Sequence, residues 1–191
     1  MAISESSLVR RFCLNFLFVL GLFSTQSFAA LDGDRGIFLV DKEGNQQRIA
    51  SISFTPKGDG YIYQIGLDAE HFEDQFLSMR PFKCLMGGAQ VICYVEYPYA
   101  NERYIEKGGL TSLEYDLLFL HKSPTEYGIN LWNGIYYKLK LIGDEIKGQI
   151  FELDMNVLSA PPEEGVIRPI TDDDIFEGDV DNQRFPELLI K

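Results

Sequence analysis

The sequence is short of the residues from which catalytic and metal centres are most often built. Its 191 residues hold three cysteines, two histidines and one tryptophan, and 17 basic side chains face 29 acidic ones, for a formal charge of −12. A chain this poor in positive charge repels a phosphate backbone that it cannot neutralise, so nucleic acid is not an expected partner. No G-x-S-x-G, H-E-x-x-H, P-loop or S-x-x-K pattern occurs. His71 and His121 are too far apart for a zinc signature, and no metal or other cofactor is expected. The carboxylates at Asp172–Asp174 and at Asp179 and Asp181 miss the spacing of a calcium loop and read as a solvated acidic face. There is no glycosylation sequon and no internal repeat.

What is present begins with an export leader over residues 1–29. Arg10 and Arg11 supply a positive start, Phe12 to Phe23 an apolar run, and Ser27-Phe28-Ala29 the small residues of a cleavage site. The run is shorter than the about 20 residues that cross a bilayer as a helix. No longer apolar run follows, so the mature chain is expected to lack a transmembrane segment and to be periplasmic or secreted. Cys13 lies at the start of the apolar run, far ahead of the cleavage point, where it cannot be the lipidated cysteine of a lipoprotein. Losing Arg10, Arg11 and Glu5 with the leader makes the chain more acidic still.

Export leaves Cys84 and Cys93, which an oxidising compartment joins. With Gly88-Ala89 as a two-residue turn, Met86 faces Val91, Leu85 faces Ile92 and Cys84 faces Cys93. The spacing therefore predicts a disulfide stapling one hairpin. The rival reading, a redox pair or a cysteine nucleophile served by His71 or His121, lacks the Cys-x-x-Cys spacing and any group that would depress a thiol pKa.

Residues 30–156 alternate with a period of two and read as a β-rich domain. Strands are expected over Gly36–Asp41, Arg48–Phe54 and Tyr61–Leu67, the last with Tyr61, Tyr63, Ile65 and Leu67 on one face. Phe72, Phe76 and Met79 fall at helical spacing behind Asp68, which predicts one short helix over Ala69–Met79. Leu113–Lys122 carries a Thr111-x-x-Glu114 pattern like a capping box. As a helix it would put apolar side chains on two opposite faces, so it reads as a strand. The hairpin about Gly143-Asp144 is the clearest: Leu141 opposes Ile146, Leu139 opposes Gly148 and Tyr137 opposes Ile150, with Tyr136 and Phe151 on the other face beside Lys138, Lys140 and Lys147. Residues 157–191 turn acidic and turn-rich, yet apolar anchors from Ile167 to Ile190 predict an irregular strap packed on the domain. The expected fold is mainly β, a small antiparallel barrel or curled sheet. In strand count and exported location it resembles the lipocalin type, though no motif carries that likeness and fold does not fix function.

Two aromatic-polar stretches, Tyr94–Arg103 and Tyr127–Tyr137, are the candidates for function. Tyrosine and tryptophan beside asparagine and arginine suit ligand pockets, because a large apolar ring carries a polar tip. The residues expected to bind are Trp132, Tyr136, Tyr97, Tyr99 and Arg103; none is assigned a catalytic role. The reading is a non-enzymatic exported binding module for a small apolar ligand or an envelope component. Its rivals are an interaction protein docking a basic partner through its acidic face, and a hydrolase or isomerase with a dispersed acid–base pair.

Overall fold

The computed structural model describes residues 31–78, 80–106 and 109–191. The expected leader, with Cys13 and the cleavage point, lies outside them. The elements run β1 (Gly33–Val40), β2 (Gln46–Lys57), β3 (Gly60–Leu67), β4 (Glu73–Phe76), β5 (Pro81–Leu85), β6 (Val91–Val95), β7 (Tyr104–Ile105), α1 (Thr111–Tyr115), β8 (Leu118–Lys122), β9 (Gly134–Ile142), β10 (Glu145–Leu153), β11 (Ile175–Glu177) and β12 (Glu187–Ile190), with short 3-10 turns between them. No helix among the described residues is long and apolar enough to cross a membrane.

The strands form one antiparallel sheet in the order β4-β5-β6-β8-β9-β10-β12-β1-β2-β3-β7, and β11 pairs with β10 beside β12. The expected barrel does not close. Its two ends are blunt: β4 is four residues long and carries Glu73 and Asp74 outward, and β7 is two residues long. Neither offers a run of free peptide groups long enough to join the other.

The sheet curls around a main core that takes residues from both of its halves. Leu39, Ile52, Phe54 and Tyr63 come from one half, Leu85, Ile92, Phe119, Tyr137 and Ile150 from the other. Tyr61, Ile65 and Leu67 pack against this core as the alternation requires. A second core covers the outer face of β5, β6, β8 and β9, built from Phe82, both cysteines, Tyr97, Tyr115, Leu118, Tyr136, Leu153 and Leu158.

Both hairpins keep their expected registers. Cys84 lies opposite Cys93 and Leu85 opposite Ile92, and the cysteines are joined in a fully buried disulfide. Leu141 pairs with Ile146, Leu139 with Gly148, Tyr137 with Ile150 and Tyr136 with Phe151.

Three segments differ from expectation. Ala69–His71 is a 3-10 turn, not the start of a helix, and Glu73–Phe76 pairs with β5 instead. Asp68 makes no side-chain cap because Arg48 holds it at 3.3 Å. Thr111–Tyr115 is helical and the strand begins only at Leu118. The apolar scatter over two faces is real, but both faces are buried: Leu113 and Leu117 point into the main core, Tyr115 and Leu118 into the outer one. The capping box does not form, since the Glu114 carboxylate turns to β9. Finally, the segment after Val157 does not end as an irregular strap. Glu187–Ile190 forms β12 in the interior of the sheet, between β1 and β10. Buried on both faces, Leu188-Leu189-Ile190 shows no alternation by which a strand could be read.

Candidate binding site

The outer core is laced by a row of tyrosines. Tyr97 and Tyr99 follow β6, Tyr115 sits on α1 and Tyr136 on β9. Their rings meet edge to face, with centroids 5.6 Å apart for Tyr97–Tyr99, 4.8 Å for Tyr97–Tyr115 and 6.5 Å for Tyr115–Tyr136. Each hydroxyl is engaged. Tyr97 donates to Ile167 O at 3.3 Å and Tyr99 to Leu158 O at 2.8 Å, while the Tyr115 hydroxyl accepts from Ile170 N at 2.7 Å. Tyr136 donates to the Glu114 carboxylate, which also accepts from Leu139 N at 2.7 Å. Burial pushes the Tyr115 phenol up to about 12, and burial with the Glu114 charge raises Tyr136 further. The tips of Tyr97, Tyr99 and Tyr115 are spent on holding residues 158–170 against the sheet, and that of Tyr136 on Glu114.

The five residues expected to bind therefore divide. Tyr97 and Tyr99 touch, and Tyr136 joins them through Tyr115. Trp132 stands in the 3-10 turn Leu131–Asn133, 65% exposed, with its amide held by Asn130 Oδ1 at 3.1 Å. Arg103 belongs to a different cluster, where its Nε lies 3.2 Å from Asp116 Oδ2. The same oxygen accepts from Tyr63 at 3.0 Å, and Tyr94 donates to the Asp116 carbonyl at 3.2 Å. Burial, with the Asp116 charge behind it, raises both phenols, Tyr94 to about 12.

The two aromatic stretches do converge, but away from their polar-tipped rings. Val95, Glu96 and Pro98 from one and Ile129 and Leu131 from the other line a cleft of about 210 Å³, whose floor is Phe82, Leu120, Met155 and Leu158. The floor is buried and the polar members Arg80, Glu96 and Ser159 are exposed, so an apolar pit opens through a polar rim. The Arg80 guanidinium lies 5.7 Å from the centroid of the Phe82 ring. Backbone approach at Gly134 positions one wall: a Cβ there would meet Leu153 O at 2.4 Å, so only glycine lets the chain before Met155 come in this close. Sequence reasoning named the polar-tipped rings beside this cleft and missed Met155 and Leu158, which lie on a 3-10 turn without periodicity.

The remaining chemistry-bearing groups do not line this cleft. Asp174 is bound to Thr171, Asp172 pairs with Lys138 at 3.0 Å, and Asp179 accepts from Asp181 N and Asn182. Among the described residues no three metal-ligating side chains converge. His121 lies opposite Ile92, and burial lowers its pKa. No family model matches this chain, and neither does any curated protein sequence or solved structure.

Proposed function

We propose that the chain is an exported, non-catalytic binding module that takes a small apolar group into the outer cleft, either a free ligand or an apolar side chain of an envelope component. The observation that carries this is the pairing of an apolar floor with a charged rim where the two aromatic stretches meet. At about 210 Å³ it is smaller than the roughly 300–1,000 Å³ of drug-sized sites, which suits one ring or a short branched chain. The disulfide, together with the leader expected from the sequence, supports an oxidising compartment outside the cytoplasm.

Native mass spectrometry of the mature protein, purified from the periplasm, tests the reading directly: a co-purified small mass is expected. A neutral naphthylamine dye should brighten with the parent protein and lose that response in Ile129→Phe, which fills the cleft. An undiminished response in the filled variant, with a clean apo mass, would overturn the proposal. Trp132 follows Leu131 in the chain and gives an independent fluorescence readout of the same event.

A further inference from the structure

The β9–β10 hairpin carries a concentration of positive charge on an otherwise acidic molecule. Its inner face buries Tyr137, Leu139, Ile146 and Ile150 in the main core. Its outer face presents Lys138, Lys140 and Lys147, and the register sets Lys140 directly opposite Lys147. Like charges opposed across an antiparallel pair destabilise it, and ordinary sheets place an acid there. The neutralisation available is partial. Lys138 has Asp172 at 3.0 Å and Lys147 has Glu145 at 3.6 Å, both at the surface, and Lys140 has no ion pair among the described residues.

These lysines line one side of a groove of about 330 Å³, and the rest is mostly apolar. Ile142 and Val180 are exposed large hydrophobic side chains, and the half-buried Phe151 and the buried Pro186 complete the apolar lining. Lys138 lies 5.5 Å from the centroid of the Phe151 ring and so covers its face. Glu187, at the β12 side, is the one carboxylate in the lining. A cationic pair beside an apolar channel matches a molecule with an anionic head and a hydrocarbon tail. We infer that this groove binds a single-chain anionic amphiphile, its carboxylate or phosphate head between Lys140 and Lys147 and its chain along Ile142, Phe151 and Val180. An anionic bilayer does not fit as well: it would repel a chain of net charge −12, whereas one amphiphile brings only one or two charges. The inference is independent of the apolar cleft, which lies on other strands.

Titration calorimetry with decanoate, and with decanol as its uncharged counterpart, tests the pairing of head and chain. Decanoate should bind the parent protein, more weakly as salt rises, and decanol should not. Lys140→Gln/Lys147→Gln should weaken decanoate at least tenfold, while Lys57→Gln, on a different strand, should not. With the opposed charges gone, the double variant should melt at or above the parent temperature, so a loss of binding is separable from a loss of fold. Amide shifts in the labelled parent protein should fall on Lys140, Lys147 and Val180. Equal decanoate affinity in the double variant would overturn the inference. So would shifts confined to Ile129 and Leu131, or binding seen only with phosphatidylglycerol vesicles.

Discussion

Glu114 and Asp116 show what a buried carboxylate does when it is fully partnered. Glu114 is 7% exposed and accepts from both Tyr136 and Leu139 N, which ties α1 to β9. Glu114→Ala leaves a phenol and an amide buried without acceptors, and should cost about 2–4 kcal/mol in urea unfolding. Arg103 holds Asp116 from the solvent side with a left-handed backbone (φ 50°), an uncommon conformation for a residue with a side chain. Arg103→Ala should cost about 1–3 kcal/mol by leaving Asp116 with only its tyrosine partner. The tyrosines set the alkaline limit. Tyr94 and Tyr115 are pushed up to about 12 in the fold, so the folded state favours the neutral phenol over the phenolate. That contribution is intact below the ordinary phenol pKa of about 10 and is lost as pH rises towards about 12. Urea midpoints measured across that interval should fall steeply. Flat midpoints would mean that the phenols ionise without unfolding.

At the scale of elements, legibility followed the turn. Gly143-Asp144 and Gly88-Ala89 fix where two strands reverse, and a period of two then assigns every partner, which is why both hairpins could be paired residue by residue. Cys84→Ser/Cys93→Ser should retain that register while losing about 2–3 kcal/mol, checked by urea unfolding with and without reductant. Elements whose environment is set by distant chain were not legible. α1 is helical because two cores meet on it, and within the expected helix Glu73–Phe76 is a strand because Pro81-Phe82-Lys83-Cys84 offers it an edge. For the site, the aromatic stretches were visible in composition, but their hydroxyl partners lie 59 to 70 residues away for Tyr99 and Tyr97. No local pattern shows that such tips are already occupied. β12 was hidden for a related reason, being a short apolar run with no alternation. Truncation after Pro186 should abolish the cooperative transition seen by circular dichroism, whereas truncation of a loose strap would leave it nearly unchanged.

Across the whole molecule, one sign of charge dominates and the exceptions are local. Self-repulsion at −12 predicts a melting temperature that rises modestly with salt, because screening relieves it. The same screening should weaken anything held by the β9–β10 lysines, so stability and that affinity should respond to salt in opposite directions. Position within the chain has its own consequence. The strands up to β10 fall into two groups, β4-β5-β6-β8-β9-β10 and β1-β2-β3-β7, and among the described strands only β12 pairs with both. β1 therefore meets the backbone of the other group only through a strand far along the chain, at Glu187–Ile190. Until β12 docks, the two half-sheets share side-chain contacts in the main core but no strand pairing, so joining them is a long-range step whose loop-closure entropy is met before the pairing rewards it. For a protein proposed to be exported, a slow closure of that kind favours a chain that is still unfolded when it reaches the membrane.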